Sequence, residues 1–457
     1  MWWTFLLLGC GGAGDPAPAP LGFAGVQALS LERGGTLVAT WPAAEQPVDS
    51  YELVVADDAG ERARVSTKAD ARSYRLEVGT DVADVQVWVE AVAGEQHDAG
   101  DGPLALRLGQ ERLQLVGQVP LAGLGDVHGE GDLVVTAGRT SGSSFFVYDV
   151  SEPEAPVLLS EVVGEGFVKD VKLHEGWLYT QGECEDCSGD PEQQGDYDGV
   201  GVRVFDLSAP REPRRVGTLQ GSTLGEAHFS VHNVTWSDGF LYLSDNGLDA
   251  MPIIDVREPS SPVEVARYTP PEGIVHDQAV VGDRAYVAFW RGFAVLDVAD
   301  PAQPVVLAEH TEPALGSVHN AWPTEDGQHL LVSSELPGGA LTVFSLDDLG
   351  AIELVTTLDP FPTDTIHNIV VQGSYAFVSW YRQGLVVVDL IDPEHPEVLA
   401  HFDTHRYEIE GHEPEQTWAL YAGAWGVWPR DDGLVAVSDM ENGLFLFRFH
   451  PVRVERP

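Results

Sequence analysis

From about residue 112 onward, apolar and polar positions fall into short strand-length runs that close, time after time, on an aspartate. The segments FFVYDVSEPEAPVLLSEV, VRVFDLSAPREPRRVGTL, MPIIDVREPSSPVEVARY, FAVLDVADPAQPVVLAEH and LVVVDLIDPEHPEVLAHF each read as an apolar strand ending in Asp, a polar turn with prolines, and a second strand. LTVFSLDDLGAIELVTTL is a degenerate sixth copy, and GLFLFRF is a seventh first half. Two further strands lie between successive copies. One follows a tetrapeptide of the SVHN type, as in HNIVVQG; the other is an apolar run, LVVTAG, WLYTQG, FLYLSD, AYVAFW, HLLVSS, YAFVSW or LVAVSD. Helix-period segments are nearly absent. Four short strands recurring every 40 to 55 or so residues is the period of a β-propeller blade, so the pattern predicts an all-β fold with seven blades over residues 112–450. The seventh blade lacks its own outermost strand, and RLQLVGQVPL at residues 112–121 is a strand without a blade. Pairing the two closes the ring and removes its open edges.

These segments closely resemble the LVIVD repeat, which VVVDL and its siblings approximate, and the resemblance covers most of residues 112–450. It implies the same seven-bladed β-propeller. Ahead of it, residues 21–108 carry TLVATWPAA, DSYELVVADDAG, SYRLEV and VQVWVEAVAG, short alternating runs separated by Gly, Asp and Pro, the pattern of an antiparallel β-sandwich. This stretch resembles a fibronectin type III domain. Trp41 matches that family's core tryptophan, Tyr51 opens the next strand and VWVEAVAG matches the sixth, while Val85 stands where the family has its corner tyrosine. The resemblance implies a module that spaces and binds. Residues 451–457 are expected to form a tail.

SVHN occurs at residues 230–233 and 317–320, with relatives IVHD around His276 and TIHN around His367. Set in register with the strand that follows, His232, His276, His319 and His367 occupy one equivalent position, near the start of the innermost strand of blades three to six. Lys169 takes that position in the second blade and Trp425 in the seventh; the first is ambiguous between Gly125 and a shifted His128. Equivalent positions lie on a circle about the axis, so these side chains should converge on one arc of the channel mouth. Neutral imidazoles there suit Fe, Cu or Zn. The alternative is that the repeat itself asks for a histidine that bonds backbone or water. Each histidine is followed by Asn or Asp (Asn233, Asp277, Asn320, Asn368), expected on the other face of the strand, toward a neighbouring blade. The arc is similar in concept to the four-histidine iron site of carotenoid oxygenases, and HNAWP resembles selenium-binding-type oxidases; neither resemblance extends over the chain. His401, His405 and His412 lie irregularly spaced in a long loop before the last blade, placed to overhang the same mouth.

Composition narrows the partners. With 72 acidic against 25 basic residues and a formal charge of −47, the 457-residue chain repels phosphate backbones, which excludes nucleic acid as an expected partner. Its opening, MWWTFLLLGCGGAG followed by GDPAPAP, resembles a bacterial lipoprotein signal peptide and tether over residues 1–20. That resemblance implies a lipid on Cys10 and a monomer held by its anchor at the cell envelope, on the bacterial outer membrane or cell surface. Cys184 and Cys187 in GECEDCSGDPEQQGDYDG suit a local disulfide in an oxidising compartment, or, less well without a second CxxC, a metal or redox pair. Asp190, Asp196 and Asp198, with Gly199 for a turn, offer oxygen donors to calcium, although the EF-hand spacing is not met. No phosphate loop, nucleophile elbow or zinc-protease motif is present, and carboxylates are too abundant for any pair to stand out. The expected function is therefore envelope-bound recognition of a surface protein, glycan or small ligand. The competing reading is a metal-dependent oxidoreductase that uses the histidine arc with Lys169 nearby.

Overall fold

The computed structural model describes residues 21–32, 36–57, 60–77, 84–102, 104–107, 112–139, 143–182, 201–224, 230–407, 420–451 and 453–455. Among these, helix is confined to two short turns, Gly221–Leu224 and Pro313–Leu315; the rest of the regular structure is β. The chain divides into two compact units, Met1–Glu111 with His450–Pro457, and Arg112–Phe449.

The first unit holds two antiparallel sheets. One runs Arg453–Glu455, Ala28–Glu32, Thr36–Thr40, Ser73–Glu77; the other is built from Gly60–Lys68, Ser50–Asp57, Asp84–Ala93 and Gln96–Asp98, with Leu104–Arg107 also on Asp84–Ala93. Alternating residues, among them Leu37, Ala39, Leu53, Val55, Val85, Val87 and Val89, form one buried core around Trp41 and Tyr51, whose rings lie 5.9 Å apart. The Tyr51 hydroxyl leaves that core far enough to accept from Ala44 N at 2.9 Å. Within the expected tail of residues 451–457, Arg453–Glu455 form a strand instead. Arg453–Glu455 add to Ala28–Glu32 as an edge strand, because backbone groups at a sheet edge are satisfied by a further strand.

Among the described residues, the second unit contains seven four-stranded antiparallel sheets. Their first, inner strands are Leu124–Glu130, Val171–His174, Val231–Ser237, Val275–Val281, Val318–Pro323, Ile369–Gln372 and Ala424–Pro429. Six sheets take four consecutive strands; the seventh completes Ala424–Pro429, Leu434–Asp439 and Gly443–Phe449 with Leu113–Val119 from the other end of the unit, paired Leu446↔Gly117. Each inner strand packs on the next, and the seventh on the first. Apolar cores fill the spaces between sheets: Leu124, Val134 and Phe146 of the first sheet share one with Leu434, Ala436 and Leu446 of the seventh.

The recurring aspartate has a local cause. Its Oδ1 accepts the amide two residues on, Asp149 from Ser151, Asp206 from Ser208, Asp255 from Arg257, Asp297 from Ala299 and Asp389 from Ile391, at 2.9–3.0 Å. This side-chain turn ends the third strand and aims the chain into the Pro-bearing hairpin. The degenerate copy LTVFSLDDLGAIELVTTL, in the fifth sheet, substitutes Ser345, whose Oγ accepts from Asp347 N at 3.3 Å.

Candidate metal centre

Among the described residues, five of the seven inner strands carry a β-bulge at the position equivalent to the histidines. Register shifts fall between Val231 and Asn233, Val275 and Asp277, Val318 and Ala321, Ala424 and Gly426, and Leu124 and Val127. A bulge inserts one extra residue and breaks the two-residue alternation, so consecutive side chains face the same side. This corrects the expected outward orientation of Asn233, Asp277, Asn320 and Asn368. They line a cavity enclosed by all seven inner strands, directly after the histidines.

The histidines themselves form a continuous arc. Ring centroids are 5.0 Å apart for His232 and His276, 4.3 Å for His276 and His319, and 4.1 Å for His319 and His367; Trp425 continues it at 4.1 Å from His367. Ligand atoms of His232, His276 and His319 all lie within 4.8 Å of one another, and so do those of His319, Glu335 and His367. Nitrogens about 2.1 Å from a common ion are at most about 4.2 Å apart. Movements of less than an ångström therefore gather either trio on one metal, with His319 common to both.

Burial keeps two rings of the arc, His319 and His367, neutral. His319 is 1% and His367 2% exposed, and desolvation holds both imidazoles well below their ordinary value; neighbouring imidazoles push each further down, while Asp126 and the Trp425 carbonyl oppose this at His367. His367 Nδ1 lies 2.7 Å from Trp425 O and His276 Nδ1 3.3 Å from Val318 O. A nitrogen facing a carbonyl at 2.7 Å carries the proton, which leaves Nε2 of His367 as its lone-pair donor. At His319 the backbone of His367 opposes the lowering by burial.

Two residues of the site were not apparent in the sequence. Glu335 follows the second strand of the fifth sheet and sets Oε2 3.5 Å from His276 Nε2. Burial raises its carboxyl above the ordinary range, against opposing influences from Tyr381, His232, Lys169 and Arg139. Tyr381 follows the second strand of the sixth sheet, donates its hydroxyl to Glu335 and is fully buried, with its phenol pushed well above the ordinary value mainly by burial. Its backbone sits at φ 29°, a conformation costly for a bulky residue, and is pinned by Ala424 N and Gly384 N, which both donate to Tyr381 O at 2.9 Å. The only warning was two successive aromatics in SWYRQG. Arg139 closes the group, stacked 4.0 Å over Trp425.

Other candidates lie elsewhere. Gly125 holds the arc position in the first sheet, and His128 sits further along that strand, where Nδ1 accepts from Leu173 N at 3.2 Å and burial, then Lys172, push the ring down to about 3. Lys169 stands at the arc position of the second sheet, its ammonium 5.3 Å over the Phe167 ring. His401 faces Gln383 O at 2.8 Å, and His405 faces Glu441 at 3.6 Å; neither joins the arc. Cys10, Cys184, Cys187, Asp190, Asp196, Asp198 and His412 fall outside the described residues.

The LVIVD repeat matches residues 230–270, 272–310 and 365–404, each covering strands of one sheet. Among solved structures, the chain is similar to a protein from Lactobacillus plantarum, with TM-score 0.52 and 13% identity over 67% of this chain and 89% of that one. It is also similar to the β-propeller domain of Myceliophteria thermophila Cps50 (Swd1), with TM-score 0.50 and 14% identity over 74% of this chain and 99% of that one. The fold is a β-propeller. At such identities the likeness speaks for fold alone. No curated protein matches the sequence.

Proposed function

We propose that this chain is a closed seven-bladed propeller of the LVIVD type, spaced by a fibronectin type III-like sandwich and held at the cell envelope by lipid on Cys10, and that it acts as an extracytoplasmic binding module built round a transition-metal centre. The observation that carries the metal is the convergence of donors on His319: the ligand atoms of His232, His276 and His319 all lie within 4.8 Å of one another, and so do those of His319, Glu335 and His367. His232, His276, His367 and Glu335 supply the remaining donors within reach, a nitrogen-rich set suited to Zn, Cu or Fe. The sandwich reading draws support from the packed Trp41–Tyr51 core.

The test is elemental analysis of protein purified without chelator or affinity-tag metal, then repeated after repletion. Wild type should hold about one equivalent of Zn, Cu or Fe, and His276→Ala with His319→Ala should lose it. Wild type that stays metal-free after repletion overturns the metal centre and leaves binding without metal. A metal-dependent oxidoreductase is the second reading, favoured by the strained Tyr381 whose phenol meets Glu335 beside the arc. A redox metal whose potential shifts in Tyr381→Phe would support it over plain binding.

A further inference from the structure

Beyond the arc, later along the same inner strands, lies a cavity of about 300 Å³. Its floor is a ring of side chains one residue past the histidine position: Asp126, Asp170, Asn233, Asp277, Asn320 and Asn368. The seventh strand has Gly426 there, and a Cβ on it would lie 2.1 Å from Asp126 Oδ1, so the glycine makes room for that carboxylate. Lys172 reaches into the ring and donates to Asp126 Oδ2 at 2.8 Å and to Asp170 Oδ1. Asn320 Nδ2 donates to Asp277 Oδ2 at 2.6 Å, and Asp170 Oδ2 accepts from Val234 N at 2.7 Å.

The walls have a different chemistry. Trp236, Trp322 and Trp428 are half-buried around the cavity, with Val280 and Val370 between them. His174 stacks on Trp236 with ring centroids 3.3 Å apart and holds that indole in place.

Three features select the occupant. Asn320, only 3% exposed, and Asn368 each present an Oδ1 with no hydrogen-bond partner, so the ligand brings donors. The indole walls call for an apolar face. Charge is disfavoured in both signs: Lys172 opposes a cation, and Asp126, Asp170 and Asp277 oppose an anion. Within the floor Lys172 is bonded to Asp126 and Asp170, and the Asn320 amide to Asp277, so the carboxylates are already offset by donors of the protein. A neutral ring that carries hydroxyl donors on its rim and C–H groups on its faces meets all three demands, at a size the cavity admits.

We propose that this cavity binds a neutral pyranose, free or as the terminal residue of a glycan, between the tryptophans and the Asx ring. The site is separate from the metal proposal and stands whether or not the arc holds metal. The experiment is saturation-transfer NMR and tryptophan-fluorescence titration of the full chain, with chelator present, against glucose, galactose, mannose and their methyl glycosides, with glucosamine and glucuronate as charged counterparts. At least one neutral sugar should saturate, its charged counterparts should bind about tenfold or more weakly, and Trp322→Ala should weaken it at least tenfold. Methyl glycosides that bind as well as the free sugar assign a terminal glycan residue; loss of binding on methylation assigns the free sugar. No saturation by any neutral sugar up to ~50 mM, stronger binding of a charged sugar, or a folded Trp322→Ala that binds like wild type would each overturn the proposal. Should that variant not fold, the neutral-against-charged comparison on wild type still decides.

Discussion

Adding one methyl group at Gly117 tests how the ends of the propeller are joined. The residue lies in Leu113–Val119, the strand that enters from the start of the unit to complete the last sheet, and a Cβ there would sit 1.9 Å from Pro153 O, the backbone of the first sheet's hairpin. Real Cβ contacts essentially never fall below 3.0 Å, so Gly117→Ala forces the hairpin and the strand apart by about 1 Å. The contact recurs around the ring. Gly217 meets Pro259 O in the same way at 2.2 Å, and Ser160 donates to Pro210 O at 2.8 Å. The corresponding bulged positions elsewhere are Ala266, Ala308, Thr356 and Ala400, all small. Overpacking of a well-filled site costs about 1–3 kcal/mol, and a backbone acceptor that cannot swing aside places Gly117→Ala near the upper end. With about 2.1 cal/mol/K of unfolding entropy per residue, 3 kcal/mol lowers Tm of the unit Arg112–Phe449 by about 4 °C. Gly131→Ala is the control: its Cβ meets open space, and a φ of +57° alone costs about 1 kcal/mol, or between 1 and 2 °C. Calorimetry and urea unfolding read both. A Gly117→Ala protein no less stable than Gly131→Ala would refute the reasoning, since the close approach would then carry no weight.

Truncation after Gly433 removes Leu434–Asp439 and Gly443–Phe449 and with them Leu434, Ala436, Leu444 and Leu446 of the core shared by the first and seventh sheets, so the shortened chain should lose cooperative unfolding; a folded monomer by calorimetry and light scattering would contradict ring closure. Asp245 tests a buried carboxyl. It is fully buried, and desolvation raises it to about 6 against opposing bonds from the amides of Ser230, Leu248 and Gly247. A carboxyl raised on folding contributes stability below its unfolded value near 4 and loses that contribution as pH rises through about 6. Asp245→Asn keeps an acceptor oxygen for the three amides, so its stability relative to wild type should grow between pH 4 and 6 and level off about 3 kcal/mol higher by pH 7. A difference that stays flat across pH in urea titrations would show that the carboxyl is not perturbed as described.

What could be read in advance was local. The Asp that closes each third strand acts on an amide two residues away, and the prolines and apolar alternation around it are equally short-range, so the repeat and its strands were legible. The shared histidine position was legible for the same reason, as a fixed offset from the next strand. The bulges were not, because strict alternation puts Asn233, Asp277, Asn320 and Asn368 on the wrong face and only an inserted residue turns them inward. Glu335 and Tyr381 were hidden for another reason. They follow second strands, whose ends vary from sheet to sheet, and reach the arc only through packing between neighbouring sheets. The pair Lys172 and Asp126 is separated by 46 residues and has no motif at all.

The bulge also explains how one short strand serves two chemistries. In a regular strand a histidine facing the axis leaves its successor facing the next sheet, and a second inward layer would have to wait a further residue, about 6.5 Å along the strand. With the extra residue, His276 and Asp277 both face inward, as do His319 and Asn320, so the imidazole arc lies directly against a ring of carboxylates and carboxamides. That proximity would draw protons onto the imidazoles if the carboxylates stood alone. Lys172, bonded to Asp126 and Asp170, balances them within the ring, and the Asn side chains dilute their charge further. Lys172 thus does more than fill the ring: by offsetting Asp126 it helps keep the lone pair of His367 available, which is the condition for the proposed metal to bind above while the proposed uncharged ligand binds below.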